Sequence, residues 1–169
     1  GYGNDTYIFN LGDGADTYYD YLGTDSIVFG EGISASNITL ISDYANNKSL
    51  IIKVGGGGDQ ISLKQYFYNM TYDGAANHYK IETLEFVDGT NMSLVDGISY
   101  EGTDTSGESL YGPYYNDNIT GIEGDDFIYS GHGNDVLAGG AGDHYINGGY
   151  GNDTYIFNLG DGADTYYDY

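Results

Sequence analysis

The chain has 169 residues, with 26 acidic side chains against four lysines, no arginine, and a formal net charge of −22. This charge excludes nucleic acid and anionic membrane surfaces as expected partners and favours a cation. Cysteine is absent, which excludes disulfides and thiolate metal sites. No apolar run approaches the roughly 18 residues of a membrane-spanning helix, so we expect no membrane insertion by this chain.

The chain begins and ends with the same sequence, because residues 1–21 and 149–169 are identical. A long-period repeat of this kind is typical of arrays of similar units. We therefore interpret the chain as one unit of a tandem array, with neighbouring units of the same protein as partners.

The middle of the chain carries strand signals. Four short segments rich in β-branched and apolar residues are separated by turn-forming runs, as expected for a mostly half-buried antiparallel sheet. The predicted strands lie in SNITLIS (36–42), KSLIIKV (48–54), DQISLKQYF (59–67) and YKIETLEFV (79–87).

The C-terminal part follows a nine-residue repeat that is rich in glycine at its first, second and fourth places. Glycine there permits tight turns and close approach between coils. The sixth place is polar, usually acidic, in Glu108, Asp117, Asp126, Asp135, His144, Asp153 and Asp164, and in Asp25 of the first copy. The eighth place is apolar or tyrosine in Leu110, Ile119, Ile128, Leu137, Ile146, Tyr155 and Tyr166, and in Ile27.

One inward side chain per repeat makes a thin core, and residues 103–169 contain no lysine or arginine to balance the carboxylates. A hard cation such as calcium binds six to eight oxygens. It would hold neighbouring coils together in place of a larger core and would balance the carboxylates in place of lysine or arginine.

The segments GGAGDHYIN and GGYGNDTYI (139–156) resemble the GGxGxDxUx nonapeptide of the RTX, or haemolysin-type, calcium-binding family. This resemblance implies an all-β fold with a right-handed parallel β-roll. DSIVFGEGIS, SLIIKV, DQISLKQYF and IETLEFVDGTNMSL resemble the β-rich module that often follows such repeats. The expected domains are the end of a truncated roll at 1–28, an antiparallel capping or linking module at 29–100, and a calcium-binding roll at 101–169.

In that family, calcium ions lie between turns along both edges of the roll, held by carbonyls and place-six carboxylates. The resemblance implies a first-edge site from Gly131, Gly133 and Asp135 with Gly148, Tyr150 and Asp153. A preceding site would use Pro113, Tyr115 and Asp117 with Ser130, His132 and Asp135. The N-terminal copy offers Gly1, Gly3 and Asp5 with Asp20, Leu22 and Asp25, and Gly149 and Gly151 are further carbonyl candidates beside Asp153.

The second edge departs from the family pattern. The resemblance assigns Ile122, Gly124 and Asp126 to it, together with Asp164 and its counterpart Asp16 in the first copy. His144 and Glu108 occupy places that are aspartate in the family. We therefore expect several calcium ions, with unequal occupancy of the two edges.

Other readings of these residues are weaker. His144 beside Asp143 has no nucleophile or metal-ligand spacing that would indicate catalysis, so no enzymatic role is expected. The 21 tyrosines suggest packing along the roll faces, or alternatively a surface that stacks on sugars.

Our leading hypothesis is a calcium-binding structural unit of a large bacterial RTX protein, secreted or at the cell surface, as in an adhesin-like stalk or toxin repeat region. Its folding would follow exposure to extracellular calcium, and the family resemblance implies type I secretion. The alternative is a calcium-dependent carbohydrate-binding module that uses exposed tyrosines. Host or biofilm glycans or proteins are further candidate partners.

Overall fold

The structure, a computed structural model, describes residues 1–43, 48–67, 80–102 and 106–169. These residues form β-strands and one short 3-10 turn, Ala35–Asn37, which confirms the all-β class. Within the same ranges there is no helix of the length and apolar character needed to cross a bilayer. The chain divides into two compact units, Gly1–Val95 and Asp96–Tyr169, and the expected three-part division stays a prediction.

The second unit is a stack of coils, as expected of a parallel β-roll. Its strands are β9 (Ser99–Glu101), β10 (Ser109–Tyr111), β11 (Asn118–Glu123), β12 (Phe127–Tyr129), β13 (Val136–Ala141), β14 (Tyr145–Gly149), β15 (Thr154–Ile156) and β16 (Thr165–Asp168). They form two parallel sheets, ordered β10-β12-β14-β16 and β15-β13-β11-β9. Most successive coils are 18 residues apart, as in the register Asn118↔Val136, which corresponds to two nonapeptides per coil. The last coil is 20 residues on, as in Tyr145↔Thr165.

The place-eight side chains form the core of this roll. Because side chains alternate along a strand, the apolar residue at the strand centre points inward while its neighbours face outward. Each coil thus contributes few apolar side chains. The buried place-eight residues are Leu110, Ile119, Ile128, Leu137 and Ile146.

The first unit combines coils with antiparallel strands. Two of the four predicted middle strands, at 36–42 and 48–54, lie within two residues of their expected bounds. The strand predicted at 59–67 begins as expected but ends at Leu63, and the segment predicted at 79–87 forms only a short strand. Residues 79 and 103–105 of the predicted segments lie outside the described residues. The strands are β1 (Thr6–Phe9), β2 (Ala15–Tyr18), β3 (Ser26–Phe29), β4 (Ile38–Asp43), β5 (Ser49–Val54), β6 (Asp59–Leu63), β7 (Thr83–Glu85) and β8 (Asn91–Ser93).

Two mixed sheets join the coil strands of this unit to its middle strands. The pairs β4–β5, β5–β6 and β7–β8 are antiparallel, which confirms the antiparallel prediction for the module. In addition, β6 pairs parallel to β2, and β7 pairs parallel to β3. The module strands therefore continue the parallel stacking of the N-terminal coils instead of forming a separate sheet, and they cover strand edges that would otherwise be open.

The two identical copies have different surroundings. Phe9 of the first copy is fully buried and packs edge-on against Phe29, with ring centroids 6.1 Å apart. Its counterpart Phe157 is 58% exposed. Identical sequences thus bury different amounts of apolar surface in the two units.

Candidate metal sites

The place-six residues along the first edge form a ladder from coil to coil. The N–H of Asp117 donates to Oδ1 of Asp135 at 2.7 Å, and the N–H of Asp135 donates to Oδ1 of Asp153 at 2.9 Å. The N–H of Ile98 donates in the same way to Asp117, at 2.9 Å. Each carboxylate therefore uses one oxygen to accept a backbone hydrogen bond from the preceding coil.

The second oxygens of two of these carboxylates are buried without compensation. Oδ2 of Asp135 and Oδ2 of Asp153 have no hydrogen-bond partner among the described residues. Burial raises the pKa of Asp135 to about 6, and burial also raises the pKa of Asp153, with the charge of Asp168 acting in the same direction. Buried carboxylate oxygens without a partner cost several kcal/mol unless a proton or cation neutralises them. Oxygen atoms in this state are suitable ligands for a hard cation.

Glycine at the first place leaves space beside the second carboxylate oxygens of Asp153 and Asp117. A Cβ added to Gly148 would lie 2.3 Å from Oδ2 of Asp153. At Gly112, a Cβ would lie 2.5 Å from Oδ2 of Asp117 and 2.7 Å from the carbonyl oxygen of Ser130. The cradle beside each of these two carboxylates is therefore one that a larger residue at the first place would fill.

The predicted carbonyl ligands lie where neighbouring coils approach most closely. A Cβ on Gly149 would lie 2.1 Å from the carbonyl oxygen of Gly131, and one on Gly151 would lie 1.7 Å from that of Gly133. The Gly131 carbonyl accepts the Tyr150 N–H at 2.9 Å. Since a carbonyl oxygen has two lone pairs, this bond leaves one for another partner.

The remaining carbonyls of this set also lie between coils. Tyr150 accepts from the N–H of Gly133 at 3.0 Å, and Gly148 accepts from the hydroxyl of Ser130 at 2.8 Å. In the preceding coil, a Cβ on Gly133 would lie 2.1 Å from the carbonyl of Tyr115, and one on Gly131 would lie 3.6 Å from that of Pro113. The structure thus brings together the coils that carry both predicted first-edge sets, including His132, which pairs with Tyr150.

The second edge continues the ladder but has fewer available carboxylate oxygens. The N–H of Glu108 donates to Oδ1 of Asp126 at 2.8 Å, and the N–H of His144 donates to Oδ1 of Asp164 at 3.0 Å. Between them, Nδ1 of the buried His144 accepts the N–H of Asp126 at 3.1 Å. Oδ2 of Asp164 is occupied by the hydroxyl of Tyr166 at 2.8 Å. A histidine ring here supplies the ladder acceptor without a second anionic oxygen.

The other predicted residues of this edge follow the same stacking. A Cβ on Gly140 would lie 2.1 Å from the carbonyl of Ile122, and one on Gly142 would lie 2.1 Å from that of Gly124. Asp16, the counterpart of Asp164, is half-buried, and the hydroxyl of Tyr18 donates to it at 3.5 Å. Asp16 is not part of the acidic cluster that the first unit contains.

That cluster consists of Asp5, Asp20 and Asp25, whose ligand atoms lie within 4.8 Å of one another. The N–H of Asp5 donates to Oδ1 of Asp25 at 2.6 Å, which repeats the first-edge ladder. The amino group of Gly1 lies 3.3 Å from Oδ2 of Asp5 and 3.2 Å from Oδ1 of Asp20. The backbone places the other predicted members alongside, since Gly3 donates to the carbonyl of Leu22 at 2.7 Å.

Sequence reasoning missed one acidic residue of the first unit. Glu82 accepts the N–H of Asp25 through Oε2 at 2.6 Å, as the next place-six residue would. The segment ETLEF (82–86) matches DTYIF (5–9) and DSIVF (25–29) at its first, third and last residues in character. This similarity is the feature of the sequence that could have identified Glu82, although the nine-residue repeat does not extend to this segment.

Aromatic rings form two ladders along the second unit. Tyr114, His132 and Tyr150 follow one another with centroid separations of 4.7 and 4.8 Å. Phe127, Tyr145 and Tyr167 stack at 4.9 Å each. These rings pack on equivalent rings of neighbouring coils, and such contacts add stability beyond the area that they bury.

Comparisons with known proteins give a matching domain, a similar sequence and a solved structure. The haemolysin-type calcium binding protein related domain matches residues 50–96. The chain is 31% identical over 126 residues to the iron-regulated protein FrpA of Neisseria meningitidis serogroup C, an alignment that covers 71% of this chain and 11% of FrpA. A solved structure, the extracellular lipase LipA from Serratia marcescens, matches with 15% identity and a TM-score of 0.28, covering 94% of this chain and 30% of the lipase. This chain spans only about a tenth of the length of FrpA. With its nonapeptide coils and the domain matched at residues 50–96, the chain is similar to proteins of the haemolysin-type calcium-binding (RTX) repeat family.

Proposed function

We propose that the chain is a non-enzymatic, calcium-binding structural unit whose coils are held together by ions between successive turns. The observation that supports this most directly is the pair of buried, unpartnered oxygens on Asp135 and Asp153. Calcium accepts carboxylates and backbone carbonyls in flexible geometry. The coil offers both types of oxygen where the glycines leave room.

The proposed first-edge ligands are those that the coils bring together. One set is Gly131, Gly133 and Asp135 with Gly148, Tyr150 and Asp153; the preceding one is Pro113, Tyr115 and Asp117 with Ser130, His132 and Asp135. We propose weaker occupancy on the second edge, because His144 contributes no carboxylate there. The cluster of Asp5, Asp20 and Asp25 is a further proposed site, with carbonyls of Gly1, Gly3 and Leu22.

Calcium binding and folding are expected to be coupled in the second unit. Its core has few apolar side chains per coil, and its carboxylates are buried against one another. A ligand that binds only the folded state stabilises it by mass action, by about 2.7 kcal/mol when its concentration is 100 times the dissociation constant. Calcium in the roughly millimolar extracellular range is the ion that would act in this way.

We further propose that the whole protein is exported before it folds and acts outside a bacterial cell, in a stalk-like or toxin repeat region. The support is the family match, the identical segments 1–21 and 149–169, and the acidic composition. Type I secretion follows from the family resemblance. A chain kept unfolded at low calcium would pass an exporter and then fold on release.

The direct test is far-UV circular dichroism of the full chain with calcium and with a chelator. We expect a gain of β-structure on adding calcium, with magnesium at the same concentration as the control ion. Magnesium requires near-octahedral geometry and gives up its water reluctantly, so it should fold the chain poorly. A full β-spectrum in chelator that calcium leaves unchanged would refute the proposal.

The alternative of a carbohydrate-binding module rests on tyrosines with exposed faces, such as Tyr2 and Tyr150. The ring ladders favour packing, because each internal ring has neighbours on both sides. Glycan-array binding that Tyr150→Ala abolishes, with the circular dichroism spectrum unchanged, would support the alternative. If the unsubstituted chain binds no glycan, or if Tyr150→Ala retains the binding, the structural function is the better account.

A further inference from the structure

The first unit extends its coil stack with a strand from the middle module. In register, Thr6 pairs with Ser26 and Ser26 pairs with Thr83, so β1, β3 and β7 form three successive parallel rungs. The residue before each of these three is Asp5, Asp25 and Glu82, respectively. Glu82 therefore occupies the place-six position of a third rung, although its strand comes from the module.

The hydrogen bonds of Glu82 repeat those of a place-six aspartate. Asp25 accepts the N–H of Asp5 through Oδ1 at 2.6 Å and donates its own N–H to Oε2 of Glu82 at 2.6 Å. The N–H of Glu82 returns to the carbonyl of Asp25 at 3.1 Å. Asp135 likewise accepts the N–H of Asp117 and donates its own N–H to Asp153.

Both acids keep a second oxygen that is buried and unsatisfied. Asp25 is 2% exposed and Glu82 is 6% exposed, and Oδ2 of Asp25 and Oε1 of Glu82 have no hydrogen-bond partner in the described part of the chain. Across the same ranges neither acid forms an ion pair. Burial raises the pKa of both. The charge of Asp25 raises the pKa of Glu82 further, and the charges of Asp20 and Asp5 do the same for Asp25. Two adjacent buried carboxyl groups without a counter-ion are costly, so the pair calls for a cation or protons.

We propose that Asp25 and Glu82 bind a divalent, oxygen-seeking cation of the calcium type through Oδ2 of Asp25 and Oε1 of Glu82. The two buried oxygens come from adjacent rungs, and a glutamate has the additional reach to bind in a bidentate manner. The ion would join the last N-terminal coil to the module strand β7. The module then contributes a metal ligand to the coil stack, in addition to covering its edge. This inference rests on the proposed calcium-binding function.

The test uses the full chain and counts bound ions by native mass spectrometry at saturating calcium. Glu82→Gln keeps an acceptor for the Asp25 N–H but removes the charge, and we expect it to bind one calcium ion fewer than the unsubstituted chain. Glu85→Gln is the matched control, because Glu85 lies on the same strand, is half-buried, and should leave the count unchanged. Circular dichroism at saturating calcium checks that both variants are folded.

Anomalous diffraction from calcium-soaked crystals of the unsubstituted chain is a second measurement that does not depend on the variant folding. A peak is expected within about 2.3–2.6 Å of one oxygen each from Asp25 and Glu82. If the unsubstituted chain binds calcium elsewhere, an unchanged ion count in Glu82→Gln or the absence of that peak would overturn this inference and leave the proposed function standing. If the unsubstituted chain binds no calcium at all, the proposed function fails with it.

Discussion

The N–H of Asp135 donates to Oδ1 of Asp153 at 2.9 Å, while Oδ2 of both residues is buried without a partner among the described residues. One oxygen of each carboxylate thus sets the spacing of the coils, and the other is left for a ligand. The same acid orders the backbone and binds the proposed ion. Substitutions that keep the first role and remove the second can separate the two.

Asp135→Asn should weaken calcium-induced folding strongly. The asparagine carbonyl oxygen can still accept the Asp117 N–H, but the negative charge that both proposed first-edge sites share is lost. We expect the calcium midpoint for folding to rise by at least about tenfold, equivalent to about 1.4 kcal/mol. The midpoint is measured by circular dichroism in a calcium titration.

Asp125→Asn is the matched control for that substitution. Asp125 is exposed and accepts the N–H of Asp143 at 2.9 Å. On the first edge, asparagine occupies the same place of the repeat and accepts an equivalent bond, as Asn116 does from the N–H of Asn134 at 2.7 Å. Asparagine is therefore already compatible with this place. A midpoint shifted equally by both variants would show that general charge reduction, rather than a ligand role, causes the effect.

Gly148→Ala should reduce both calcium affinity and the stability of the folded state. Its Cβ would lie 2.3 Å from Oδ2 of Asp153, and overpacking of this kind typically costs 1–3 kcal/mol. Gly56→Ala is the control, because a Cβ there meets nothing within 4 Å. Thermal unfolding in calcium is the measurement; equal melting temperatures for the two variants would contradict the proposed cradle.

The coil stack was predictable from sequence because its rhythm is local. Ile119, Ile128 and Leu137 recur every nine residues, and the structure buries all three. Glu82 was not predictable in the same way, because it lies 57 residues from Asp25. The pairing of β2 with β6 is similar, since the apolar pattern of Ile61 and its neighbours shows that a strand forms but not which coil strand accepts it. Partners set by tertiary pairing carry little signal in a periodic pattern.

Calcium binding should weaken in acid. Burial raises the pKa of Asp135 from 3.8 to about 6. An acid whose pKa is raised by folding favours the folded state when it is protonated, so in chelator this stabilisation is fully present below about pH 4 and is lost as the pH rises through about 6. Protons compete with calcium for the same oxygens.

We therefore expect the calcium midpoint at pH 5 to exceed that at pH 7.5, while the chain in chelator shows more β-structure at pH 5 than at pH 7.5. Both quantities come from circular dichroism titrations in matched buffers. The Asp135→Asn variant should show a smaller pH dependence of the midpoint. An identical midpoint at the two pH values would contradict a carboxylate ligand with a raised pKa.

His144→Asp should restore the family pattern on the second edge and increase calcium binding. Oδ1 of an aspartate there can accept the Asp126 N–H that Nδ1 of His144 accepts now, and Oδ2 would add an anionic oxygen beside Asp126. In chelator the added buried charge should destabilise the fold, because it lies among other carboxylates. At saturating calcium we expect at least one more bound ion by native mass spectrometry and a higher melting temperature. The expected effect on stability is thus a loss in chelator and a gain in calcium. A variant that is destabilised equally under both conditions would show that His144 is needed for packing and that the second edge binds no ion at this rung.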